Sequence, residues 1–81
     1  MISTTIKLDT INDVKNFVNT VAKYEFDVDL VSGRYAVDAK SIMGIFSLDL
    51  SRPIKMDVYS DSCEQFLSDI KKFIVPSERE K

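Results

Sequence analysis

Cys63, Phe66, Leu67, Ile70, Phe73 and Ile74 recur at i, i+3, i+4, i+7, i+10 and i+11, one continuous apolar stripe of helical period. A helix striped on one side must bury that side against a second layer, so this segment demands a partner sheet or helix elsewhere in the chain. Ser62 with Gln65, or Asp61 with Glu64, has the spacing of a helix-starting cap, and Pro76 is expected to end the helix. The charged residues 77–81 read as a frayed end. The expectation is one domain over residues 1–75 and a tail over 76–81.

The partner layer is legible in segments of period two. In residues 3–8, Ile6 and Leu8 alternate with Thr5 and Lys7, as in a half-buried strand. Phe26, Val28 and Leu30 alternate with Asp27 and Asp29; Ser32-Gly33 then offers a two-residue turn into Arg34-Tyr35-Ala36-Val37-Asp38, with Tyr35 and Val37 expected on the inner face. After the break at Ser51-Arg52-Pro53, Ile54, Met56 and Val58 alternate with Lys55, Asp57 and Tyr59 as a fourth strand. Between the first two strands, Thr10 and Asp13 have N-cap spacing, followed by Ile11, Val14, Phe17, Val18 and Val21 at helical intervals. The order β-α-β-β-α-β-α predicts an α+β fold: a two-layer open-faced sandwich, with a four-stranded antiparallel sheet covered by helices on one face.

At 81 residues the chain is near the size at which a single core becomes marginal, so most large apolar side chains must be buried. The short segment Ala39-Lys40-Ser41-Ile42-Met43-Gly44-Ile45-Phe46-Ser47-Leu48-Asp49 strains that rule. Ser41 fits a helix start. With Ile45 and Leu48 directed to the core, Ile42, Met43 and Phe46 are left as an exposed patch beside it. Methionine and phenylalanine suit a docking surface, the first by adapting its shape and the second by burying much area with few torsions to freeze.

Several function classes are disfavoured. No histidine occurs, Cys63 is the only cysteine and the only glycines are Gly33 and Gly44, which leaves no common zinc set, nucleophile–base pair or phosphate-cradling loop. No metal or cofactor is implied, and the chain reads as non-catalytic by itself. Cys63 lies on the apolar stripe and is expected in the core. A formal charge of −2 with interspersed signs gives no basic stripe for nucleic acid or an anionic membrane, and Asp27, Asp29 and Asp57 on the open sheet argue against an RNA-stacking platform. The lack of a leader-like or membrane-spanning run, with a single cysteine, predicts a cytoplasmic protein.

The element order and, above all, Lys40-Ser41-Ile42-Met43-Gly44-Ile45-Phe46-Ser47-Leu48 resemble HPr, the histidine-containing phosphocarrier family of the bacterial sugar phosphotransferase system. The resemblance covers essentially the whole chain. It implies a carrier histidine at the N-cap of the first helix, in a Gly-Leu-His-Ala-Arg-Pro type motif. Here that histidine position falls on Thr10 and the arginine position on Asn12, inside Leu8-Asp9-Thr10-Ile11-Asn12-Asp13. A threonine ester would be too stable to pass its phosphoryl group on, and Asp9 and Asp13 would repel an incoming phosphate. The resemblance also implies a regulatory serine at Ser41, phosphorylated in Gram-positive members by HPr kinase/phosphorylase, and a docking role for the adjoining patch. Variants of the family that lack the carrier histidine act in catabolite repression by binding a LacI-type transcription regulator. The chain is accordingly expected to be a regulatory protein–protein interaction module controlled at Ser41, the alternative being a divergent phosphocarrier in phosphoenolpyruvate-dependent sugar transport.

Overall fold

A computed structural model describes residues 1–75 of the chain. Strand β1 (Ile2–Ile6), helix α1 (Ile11–Val21), strands β2 (Val28–Ser32) and β3 (Tyr35–Asp38), helix α2 (Ile42–Phe46), strand β4 (Ile54–Val58) and helix α3 (Glu64–Asp69) follow in order, with a 3₁₀ turn at Lys71–Phe73. The sheet is four-stranded and antiparallel in the order β1-β4-β2-β3. This is the expected two-layer α+β sandwich. The expected tail and the terminating Pro76 lie outside the described residues.

Alternation selects the covered face. Ile6, Val28, Leu30, Ile54, Met56 and Val58 are buried beneath the helices. They meet Val14, Phe17 and Val21 from α1, Ile45 from α2 and Phe66 from α3. Phe66 also stands edge-on to Tyr24 and Phe26, with ring centroids at 5.3 and 5.5 Å. Phe26 thus serves the core from the turn before β2 rather than from within the strand.

The carboxyl-terminal stripe is the main departure from expectation. Its apolar positions are largely covered, but the α-helix stops at Asp69, since Ile70 has φ −105° and ψ 15° and the next turn tightens to 3₁₀. The cause lies across the sheet edge. Phe73 O accepts from Lys7 N at 2.8 Å and Val75 N donates to Thr5 O at 2.9 Å, with Ile6 and Ile74 paired between them. Strand pairing beside β1 draws this backbone out of helical conformation. Cys63 is the N-cap of α3, without the side-chain cap expected of Ser62 or Asp61.

The hairpin turn also moves. Ser32 pairs with Tyr35, so the loop is Gly33-Arg34 rather than Ser32-Gly33, and Gly33 takes φ +61° at the first central position, as a type II′ turn requires. Tyr35 shares a sheet face with Val37 but remains 72% exposed, because it lies at the hairpin end where helical cover stops. Ile11, expected in the core, is likewise 62% exposed, since it begins α1 a turn before the first buried residue, Val14.

Candidate functional site

Two helix starts carry the residues singled out by sequence. At the first, Thr10 is extended (φ −126°, ψ 165°) and its Oγ1 accepts from Asp13 N at 3.0 Å. Asp13 Oδ2 in turn accepts from Asp9 N at 3.0 Å and Thr10 N at 3.3 Å. This reciprocal capping box satisfies donors that a helix start would otherwise offer to an anion. Asn12 is exposed, and Asp9 is paired with Lys7, whose Nζ also reaches Leu50 O at 3.0 Å.

At the second start, Ser41 is exposed and extended (φ −102°, ψ 104°), and its Oγ accepts from Gly44 N at 3.1 Å. Ser41 N donates to Asp38 O at 2.9 Å, while the Asp38 carboxylate accepts from Lys40 N at 2.9 Å. The other end of this single-turn helix is held by Ser47, whose hydroxyl donates to Gly44 O at 2.6 Å. The hydroxyl of Ser41 therefore fixes the helix start through a lone pair on an exposed side chain. With five residues, α2 has only a small dipole, and the local amides provide most of the positive field there.

Gly44 brings α2 close to the sheet. A Cβ at this position would lie 3.2 Å from Ser41 Oγ and 3.3 Å from Val37 Cβ. The close approach seats Ile45 and Leu48 in the core as expected. Of the three patch residues, Met43 is 76% and Phe46 41% exposed, whereas Ile42 is half-buried and packs on the core. Ile42 therefore forms the patch's inner border rather than a full member: in a five-residue helix the first turn cannot turn away from both the sheet and its neighbour α1. Ile11 adds another exposed apolar side chain to the helix layer. Its position immediately after a cap was the available sequence signal, since a first-turn residue can outreach the layer it borders.

The open sheet face holds a line of carboxylates. Asp57 stands opposite Asp29 in the register, and Asp29 opposite Asp38. Asp57 is buried but receives the Ser3 hydroxyl at 2.7 Å and has Lys55 at 3.7 Å. Desolvation, then Asp29, pushes the Tyr59 phenol above its ordinary pKa. Among the described residues no acidic or thiol cluster forms a metal site. Cys63 is buried, and desolvation followed by the Glu64 charge pushes its thiol up, away from a reactive thiolate. No described helix is long and apolar enough to cross a membrane.

Comparison with known proteins agrees with this architecture. The PTS-HPr family, described as the PTS HPr component phosphorylation site, matches residues 13–74, beginning three positions after Thr10. No curated protein matches. The crystal structure of HPr-C-His from Thermoanaerobacter tengcongensis superposes with a TM-score of 0.74 at 26% identity, over 89% of each chain. The phosphocarrier protein HPr from Bacillus anthracis shares the fold with a TM-score of 0.69 at 19% identity, over 91% of this chain and 96% of its own. With the sheet order, the helix-covered face and a family match over most of its length, the chain belongs to the HPr family of phosphotransferase-system phosphocarriers.

Proposed function

We propose that this chain is an HPr-family regulatory module that does not carry a phosphoryl group on histidine, and that it docks on partner proteins under the control of Ser41. The observation that carries the reading is the Asp13 carboxylate held across the start of α1 by the capping box. Asp13 Oδ2 accepts from Asp9 N and Thr10 N while Asp13 N is taken by Thr10 Oγ1, which fixes a carboxylate charge at the helix start, where it would repel an incoming phosphoryl group. With Thr10 and Asn12 in place of the family's histidine and arginine, the site has neither an imidazole acceptor nor a cation to hold the product.

Ser41 has the opposite character. It is exposed, its surroundings read Lys40-Ser41-Ile42-Met43-Gly44, and Met43 and Phe46 present apolar surface on the same short helix. A phosphoryl group there would add nearly two negative charges beside that surface and change which partner it fits. HPr kinase/phosphorylase is the proposed modifying partner, and a LacI-type transcription regulator the proposed target.

HPr kinase with ATP is expected to add one phosphoryl group to the wild-type chain and none to Ser41→Ala; modification persisting in the variant removes Ser41 from the reading. Incubation with enzyme I and phosphoenolpyruvate is expected to leave the mass unchanged. An acid-labile gain of one phosphoryl group in that incubation would instead establish a divergent carrier in sugar transport.

A further inference from the structure

The two edges of the sheet are treated differently. The outer edge of β1 is closed along its second half by residues 73–75, through the bonds to Thr5 and Lys7. At the opposite edge β3 is covered by no strand among the described residues. Its hydrogen-bonding phase follows from the hairpin. A two-residue loop can be closed only by a hydrogen-bonded pair, here Ser32 with Tyr35, so Val37 also bonds inward, to Leu30. Ala36 N–H and C=O and Asp38 N–H therefore point away from the sheet. The Asp38 carbonyl is taken by Ser41 N, which ends the open stretch.

The sequence along this edge is self-complementary. Reversed about Ala36, Arg34-Tyr35-Ala36-Val37-Asp38 sets Arg34 against Asp38 and Tyr35 against Val37. We propose that β3 is an interface between two copies of this chain, which pair antiparallel about Ala36 into one continuous eight-stranded sheet. The two Ala36 residues exchange reciprocal N–H···O bonds, and each Asp38 N–H donates to the other copy's Arg34 carbonyl. The contact is isologous and closes on itself, so it makes a dimer and not a fibre.

Charge on the open face favours this occupant over a peptide of arbitrary sequence. Asp38 lies directly across from Asp29, an unfavourable like-charge pair, and Asp29 across from Asp57. Asp57 has Ser3 and Lys55, but among the described residues no cation pairs with Asp29 or Asp38, and none of the acids pairs with Arg34 at the hairpin tip. Antiparallel pairing places the second copy's Arg34 beside Asp38, twice by symmetry, at the uncompensated end of the acidic line. On the other face it covers Tyr35, which is 72% exposed, with the second copy's Val37, an aromatic and β-branched pair of the kind that stabilises cross-strand contact.

A single edge pairing is a small, weak interface, so the test spans concentration, by sedimentation velocity on the 81-residue chain from about 20 µM to about 1 mM. The expected result is a reversible monomer–dimer equilibrium, with amide NMR shifts of Ala36 and Asp38 that move with concentration. Arg34→Glu, an exposed loop substitution whose fold is checked by its unchanged melting temperature, is expected to weaken the dimer by about tenfold or more, and Arg34→Lys to retain it. A monomer at every concentration, a dimer indifferent to Arg34→Glu, or concentration-dependent shifts confined to Ile2–Ile6 each overturns the proposal.

Discussion

Replacing Gly44 with alanine sets helix propensity against a crowded contact, and the outcome depends on Ser41. In an unhindered helix the change stabilises by about 0.5–1 kcal/mol, because alanine loses less backbone freedom on folding. Here the added methyl would sit 3.2 Å from Ser41 Oγ and 3.3 Å from Val37 Cβ. Val37 is part of β3 and cannot retreat without shifting the strand, whereas Ser41 can rotate its side chain at the expense of the 3.1 Å bond from Gly44 N. Loss of such a cap costs about 1 kcal/mol, and residual crowding at Val37 adds up to about 1 kcal/mol. Gly44→Ala is therefore expected to destabilise by about 0.5–1 kcal/mol in the wild-type background, reversing the sign that propensity alone dictates.

Ser41→Ala by itself should cost about 1 kcal/mol. In that variant the cap is already absent, and the 41 side chain meets the new methyl only through its Cβ, at an ordinary 3.5 Å. Gly44→Ala then becomes close to neutral, giving a coupling of about 1 kcal/mol between the two positions. Urea unfolding of the four proteins, analysed with a common m-value, measures the cycle. Additivity within about 0.3 kcal/mol, or Gly44→Ala stabilising the wild type, would refute the reasoning that the glycine is there to leave room for the serine hydroxyl.

Other outcomes follow from the same packing. Met43→Asp should change stability by less than about 0.5 kcal/mol yet abolish binding of the partner in a titration, whereas Ile45→Ala, two residues on and fully buried, should cost about 2–5 kcal/mol. Phe66→Ala should cost about 3–5 kcal/mol in urea unfolding, because it empties the site between Tyr24, Phe26 and the sheet. Asp69 is held below the ordinary carboxylate range by hydrogen bonds from Tyr24 and then Gln65. Its contribution is complete above the unfolded-state value of about 4 and is lost as pH falls through the depressed folded-state value. Tyr24→Phe is therefore expected to shallow the acid limb of the stability–pH curve, and an unchanged limb would count against the bond.

The period-two strands and Thr10 cap were legible in the chain because each depends on local chemistry: alternation dictates which strand side chains share a face, and a threonine three residues before an aspartate closes a capping box wherever it lies. The same reasoning found Ser41 at a helix start and directed Ile45 and Leu48 inward. Tertiary structure decided where those local preferences end. The carboxyl-terminal stripe continues through Phe73 in sequence, but the unpaired edge of β1 bonds residues 73–75 and breaks the helix at Asp69. Ile42 is half-buried and Ile11 exposed because cover depends on how far the neighbouring layer extends, which periodicity cannot express. The amide geometry at Thr10 likewise required coordinates, since it arises from three backbone groups converging on two side chains. Local pattern sets which side of an element is apolar; only the assembled layers set how much of that side meets water, because burial is a property of neighbours distant in sequence.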